Sequence, residues 1–240
     1  MTTHIDIGDI AVEVILKDIK NIHLSVCPPL GHVKISAPAR MNLDHIRVYA
    51  ISRLGWIRQQ QQKLRAQARE TPREYLNRES HLVWGKRYLL EVRHHNAAPS
   101  VEVKHSRIVL SVRPGADAQA RRAVLEDWYR QQIKSALAPL ISKWTPLLGV
   151  GVNRVFVQRM KTRWGACTPE RRNIRINSEL AKKPPECLEY IVVHEMAHLQ
   201  VRQHNDRFRQ LLDQCLPNWR VIRDALNEAA LAHVDWEARR

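Results

Sequence analysis

His194-Glu195-Met196-Ala197-His198 lies within Pro184–Leu199, a stretch with the residues of an apolar helix. Residues i and i+4 share one face of a helix, with Cβ atoms ~5–6 Å apart. Two imidazoles at that spacing can present nitrogens to a single ion at the ~2.0–2.1 Å that zinc requires. Glu195 projects roughly 100° round the helix from His194, which lets it reach a coordinated water instead of the ion. Composition alone produces H-E-x-x-H roughly 0.04 times in a chain with this many histidines and glutamates, so chance explains it poorly.

A catalytic zinc has three protein ligands and one exchangeable position. His204 is the first candidate for the third ligand, because Leu199–Gln203 gives the chain room to leave the helix and turn back; Glu228 and His233 are the alternatives further on. Asn205 suits the N-cap of a following helix whose Phe208, Leu211, Leu212 and Cys215 recur at helical spacing and hold His204 in place. The expected cofactor is one Zn2+ per chain. It lowers the pKa of its water towards ~7, and Glu195 takes that proton and returns it to the leaving group. Cys27, Cys167, Cys187 and Cys215 lie far apart with no C-x-x-C pair, against both a Cys-rich structural zinc site and a disulfide framework, and in keeping with a cytoplasmic protein.

Charge narrows the partners. Lys and Arg number 39 against 24 acids, a net +15, and nine basic against two acidic residues fall between Arg154 and Lys183. A basic wall beside the histidines favours an anionic substrate or a developing oxyanion. Lys161, Arg163, Arg175 and Asn177 are therefore the substrate-binding candidates, with Asn173–Asn177 as the substrate-facing strand. The first reading is a zinc hydrolase acting on polypeptides. The alternative is a metal-dependent phosphohydrolase acting on nucleotides or other anions, with nucleic acid as a further partner of the basic surface. No apolar run approaches the ~20 residues of a membrane helix, and the N-terminus lacks the pattern of a signal peptide. Nothing in the chain encodes an oligomeric state.

The surrounding elements predict an α+β fold in two parts. Residues 1–115 form a β-rich part with one long helix. Residues 5–37 alternate as a small antiparallel meander, Asn42 caps a helix running into the QQQQKLRAQARE tail, and LVWGKRYLLEV and SVEVKHSRIVLSV read as further strands with turns at Gly85 and near Lys104–Arg107. Residues 116–240 form a mainly helical part: a long helix from Ala116, interrupted at Pro139, then a small antiparallel sheet from VNRVFVQ and NIRINS, then helices near 185–200, 206–216 and 219–231. No internal repeat is visible.

Three stretches resemble the YgjP-like zinc metallopeptidases, relatives of the SprT and WLM metalloproteases. They are Met160–Cys167, similar to K-x-R-W-G-S-C; Asn173–Leu180 with Pro184–Leu199; and His204-Asn205-Asp206-Arg207-Phe208, similar to N-H-S-x-x-F. Gly55-Trp56-Ile57 and Trp84–Tyr88 extend the likeness over most of the chain. The resemblance implies a zincin-like domain with His194, His198 and His204 as zinc ligands and Glu195 as catalytic acid/base. Ala166 stands where Ser is usual and Asn205 where Ser is common, and KDIKNIHLSV is less basic than its counterpart in many relatives.

Overall fold

The computed structural model describes residues 2–27, 31–66, 73–160 and 163–228. The fold is α+β, and the chain divides into two compact units, Met1–Glu70 and Thr71–Ala232. Among the described residues no helix is long and apolar enough to cross a membrane.

The first unit begins with β1 (Thr2–Ile7), β2 (Ile10–Lys17), β3 (His23–Cys27) and β4 (His32–Pro38). The sheet is no meander: its order is β1-β2-β4-β3, two antiparallel hairpins joined by the parallel pair β2 and β4. Hydrophobicity explains the order. The strands with the strongest apolar alternation, carrying the fully buried Val12, Val14, Val33 and Ile35, take the centre, while the more polar β3 is left at an edge. Two helices, α1 (Leu43–Ser52) and α2 (Leu54–Ala66), follow; the Asn42 side chain caps α1 by accepting from the Asp44 N–H. Ile46, Ala50 and Ile57 complete this core.

The second unit contains β5 (Ser80–Val83), β6 (Lys86–His94), β7 (Ser100–Lys104) and β8 (Arg107–Val112), in the order β5-β6-β8-β7. It repeats the topology of the first sheet, a recurrence with no counterpart in the sequence. The boundary expected at 115 therefore moves to 70. The reason is packing: Val83, Leu90, Ile108, Leu110 and Val112 share one core with the helices that follow. The 31-residue helix α3 (Ala118–Leu148) starts at an Asp117 cap and ends at Gly149 in the left-handed conformation. It runs through Pro139 and Pro146, so Pro139 does not end it.

After α3 come β9 (Arg154–Gln158), β10 (Gly165–Thr168), β11 (Asn173–Asn177), and the helices α4 (Pro185–Ala197), α5 (Asp206–Cys215) and α6 (Trp219–Glu228). The small sheet is ordered β10-β11-β9 and is mixed: β10 and β11 form an antiparallel hairpin, and β9 runs parallel to β11. Asn177 is the reason the chain passes across the end of β11. Its side chain accepts from the Met160 N–H and donates to the carbonyls of Met160 and Arg163.

Helix α4 is wrapped on several sides, packed against α3, α5, α6 and β10. Nine of its thirteen residues are buried, so it lacks the polar face of a surface helix. Glu189 ties it to α3, accepting from Lys143 Nζ at 2.7 Å and Trp144 Nε1 at 3.0 Å. The β5–β6 turn, Trp84-Gly85, seats its entrance. Both residues have positive φ, the Trp84 N–H donates to the Ala181 carbonyl at 2.8 Å, and a Cβ on Gly85 would sit 3.0 Å from Pro184 Cγ. Gly85→Ala should therefore destabilise the protein by about 1–3 kcal/mol, through left-handed strain and collision with Pro184. A thermal melt lowered by several degrees is the expected reading, and an unchanged midpoint would contradict the role of this turn.

Candidate metal centre

Two of the three histidines come from the end of α4. His194 is in its last turn and His198 forms its C-cap. The chain then leaves the helix, held by the Val201 N–H on the Ala197 carbonyl, and His204 stands just before α5. Asn205 caps α5 by accepting from the Phe208 N–H at 3.0 Å. That cap fixes Phe208, which is 2% exposed and touches all three imidazoles, with centroid distances of 5.1, 4.6 and 4.8 Å to His194, His198 and His204. One buried aromatic ring thus floors the whole triad.

The imidazoles converge. One nitrogen from each lies within 4.8 Å of the others, and His194 Nε2 and His204 Nε2 are 3.1 Å apart. Nitrogens at ~2.0–2.1 Å from a tetrahedral ion are ~3.3–3.4 Å apart, so the spacing fits a divalent ion of the zinc kind. The outer nitrogens are held as well. His198 Nδ1 lies 3.1 Å from the Val201 carbonyl, which can only accept, so Nδ1 carries the proton and Nε2 keeps its lone pair. His194 Nδ1 faces the hydroxyl of buried Tyr190 at 3.5 Å, and the Tyr190 ring stacks on Trp219 of α6. Burial, then the neighbouring imidazoles, lowers the His194 pKa to about 3; burial also lowers that of His198. Neutral rings are the form that binds a cation.

Glu195, 5% exposed, faces the same cleft. Burial pushes its carboxyl up to about 8, with Arg163 pulling the other way. The cleft, about 540 Å³, is walled by Arg163 and Gly165–Cys167 on one side, by the histidines and Glu195 at its base, and by Glu170 and Arg202 at the rim. Gly165 has a reason beyond a tight turn. A Cβ there would lie 2.5 Å from Glu195 Oε1, so only glycine leaves room for the carboxylate. The pattern R-W-G could have signalled this, but the partner that makes the glycine necessary lies 30 residues further on.

The other candidates separate. Arg163 lines the cleft and lies close enough to Glu195 to act on its carboxyl. Arg175 is outside the lining; its guanidinium donates to Thr168 Oγ1 and lies over the Phe156 ring. Asn177 is buried and donates to the carbonyls of Met160 and Arg163. Lys161, the Glu228 side chain and His233 lie outside the described residues. β11, the strand expected to face substrate, is central, with both edges taken by β9 and β10; the edge strand at the cleft is β10. Cys167 lines the cleft as a thiol, since burial and the Glu195 charge hold its pKa up to about 11. All four cysteines are free.

The two shifts have opposite consequences for stability. Lowering His194 from 6.5 to about 3 gives stability that is complete above pH 6.5 and is lost as pH falls towards 3. Raising Glu195 from 4.5 to about 8 gives the folded state its advantage below pH 4.5, lost as pH rises towards 8. Between pH 6.5 and 8 the metal-free protein should therefore lose stability, by up to about 1.4 kcal/mol per pH unit. Glu195→Gln should flatten that slope in denaturant titrations; an unchanged slope would remove the assignment.

The YgjP-like family model, described as a metallopeptidase domain, matches residues 20–229. Among solved structures, the metallopeptidase zymogen abylysin of Pyrococcus abyssi is 20% identical, over 37% of this chain and 89% of that one, with a TM-score of 0.35. The zymogen jannalysin of Methanocaldococcus jannaschii is 19% identical, over 39% and 92%, with a TM-score of 0.33. No curated protein matches the chain. With seven-eighths of its length matched by one family, the chain belongs to the YgjP-like metallopeptidases and is a hydrolase.

Proposed function

We propose that this protein is a zinc-dependent peptidase whose ion is held by His194, His198 and His204 and whose general base and acid is Glu195. The convergence of three imidazoles, two of them with Nε2 atoms 3.1 Å apart, beside a buried carboxylate in one cleft carries the reading. When bound, the ion supplies Lewis acidity, polarising the scissile carbonyl and acidifying the attacking water. Glu195 accepts the proton of that water through the carboxylate held against Gly165, and later delivers it to the leaving amine. An adjacent positive charge lowers a carboxylate pKa, so a loaded site keeps Glu195 ionised and ready. The Val201 carbonyl and the Tyr190 hydroxyl fix the orientation of His198 and His194. Edge strand β10 offers its free backbone groups to an extended polypeptide, and Arg163 faces the oxyanion or a substrate carboxylate.

Purified protein reconstituted with zinc should cleave casein. Glu195→Gln should retain zinc while losing about 10²–10⁴-fold in rate, whereas His194→Ala should lose zinc and activity together. A Glu195→Gln protein hydrolysing at the wild-type rate would remove the general base. Gly165→Ala should also keep the metal but lose roughly 10²-fold in rate, because the new methyl displaces the carboxylate. Phosphate release from nucleoside triphosphates, abolished by Glu195→Gln and unaccompanied by peptide cleavage, would replace this reading with the phosphohydrolase.

A further inference from the structure

Two sets stand out among the described cations of the 154–183 stretch. Arg159 and Lys182 are engaged with Glu126 and Glu179, Arg159 Nη1 lying 3.0 Å from Glu126 and Lys182 Nζ 2.6 Å from Glu179. Arg154, Arg171, Arg172 and Arg175 have no ion-pair partner among the described residues. Arg154 and Arg175 emerge on one face of the sheet, and Arg171 and Arg172 are exposed in the turn that leads into it. Along β9 and β11 the side chains alternate: Val155, Val157, Ile174 and Ile176 pack into the core, leaving Arg154, Phe156, Gln158, Asn173 and Arg175 on the other side. The register sets Phe156 opposite Arg175 and Arg154 opposite Asn173. Arg171 and Arg172 are exposed in the turn entering β11, held against β9 by the Asn153 N–H on the Arg172 carbonyl. No acid occurs in β9, β10 or β11, and the nearby Glu170 is paired with Arg202 at 3.0 Å.

Phe156 decides what such a face fits. It is one of two phenylalanines in the chain, and it is 39% exposed with the Arg175 guanidinium 5.6 Å from its ring centre. An acidic peptide would satisfy the arginines and leave an aromatic ring without a planar partner. A nucleic-acid strand supplies both parts, phosphates for the guanidinium groups and a base face for the ring. A duplex keeps its base faces stacked inside, so the strand must be single. We propose that the outer face of the β9–β11 sheet binds single-stranded nucleic acid, with Phe156 as the stacking platform and Arg154, Arg171, Arg172 and Arg175 as phosphate contacts. This surface does not depend on the zinc reading.

Fluorescence anisotropy of a fluorescein-labelled 15-nucleotide oligothymidylate with the full chain tests it. Log K against log[salt] should fall with a slope of roughly −2 to −3, at about 0.7 per phosphate contacted. Phe156→Ala should weaken binding about tenfold or more, Phe156→Tyr should preserve it, and Arg154→Gln should reduce the slope by about 0.7. Glu195→Gln should bind like the wild type, so a failure of the peptidase reading leaves the outcome distinct. In the unmodified protein, photocrosslinking with a 4-thiothymidine oligonucleotide should place adducts on β9. A flat salt dependence, full binding by Phe156→Ala, adducts elsewhere, equal affinity for a duplex, or the same Phe156-dependent binding to polyglutamate or phosphatidylserine vesicles would each overturn the proposal.

Discussion

A polar group inside an apolar helix must be neutral, paired or bound to an ion, and α4 carries two such groups where most of its surface is buried. His194 is kept neutral by the same burial that pushes Glu195 up to about 8. The low dielectric that makes such buried groups costly also strengthens their electrostatic interactions. The rest of the site follows from that placement. Gly165 gives up its side chain to the Glu195 carboxylate, Phe208 lies under all three rings, and the Val201 carbonyl and Tyr190 hydroxyl occupy the outer nitrogens.

The elements around α4 act as its mounting. The β5–β6 turn fits against Pro184 where the helix begins, Glu189 anchors its middle to α3, and Trp219 backs Tyr190 one turn before His194. This explains why β5–β8 belong to the second unit even though they read as part of a β-rich N-terminal half. Their apolar faces have no complete core of their own and bury against α3 and α4. The first unit closes its own core over the same strand order with α1 and α2.

The excess positive charge has more than one destination. Arg159 and Lys182 neutralise buried or half-buried carboxylates, which makes them part of the scaffold. Arg163 alone of the basic candidates faces the cleft among the described residues, while Arg175 points to the opposite environment beside Phe156. Linear charge density predicted a single basic wall. The fold divides it, because these cations sit on different segments: Arg163 before β10 at the cleft, Arg175 within β11 beside Phe156, and Arg159 and Lys182 against carboxylates.

Local chemistry was legible in the sequence. The i, i+4 histidines, the intervening glutamate, the caps at Asn42 and Asn205 and the proline entry to α4 each depend on residues within one or two helical turns. Short-range geometry is fixed by covalent spacing, so residue type and interval suffice. Strand order, the unit boundary, the purpose of Gly165 and Asn177, and the side on which each arginine emerges required the tertiary structure. Each is a relation between segments tens of residues apart, settled by which apolar faces find a shared core and which carboxylates are close enough to claim a cation. The chain alone determined the set of groups that could hold an ion and the carboxylate between them; the packing of α4 decided their burial, their orientation and which cations stand beside them.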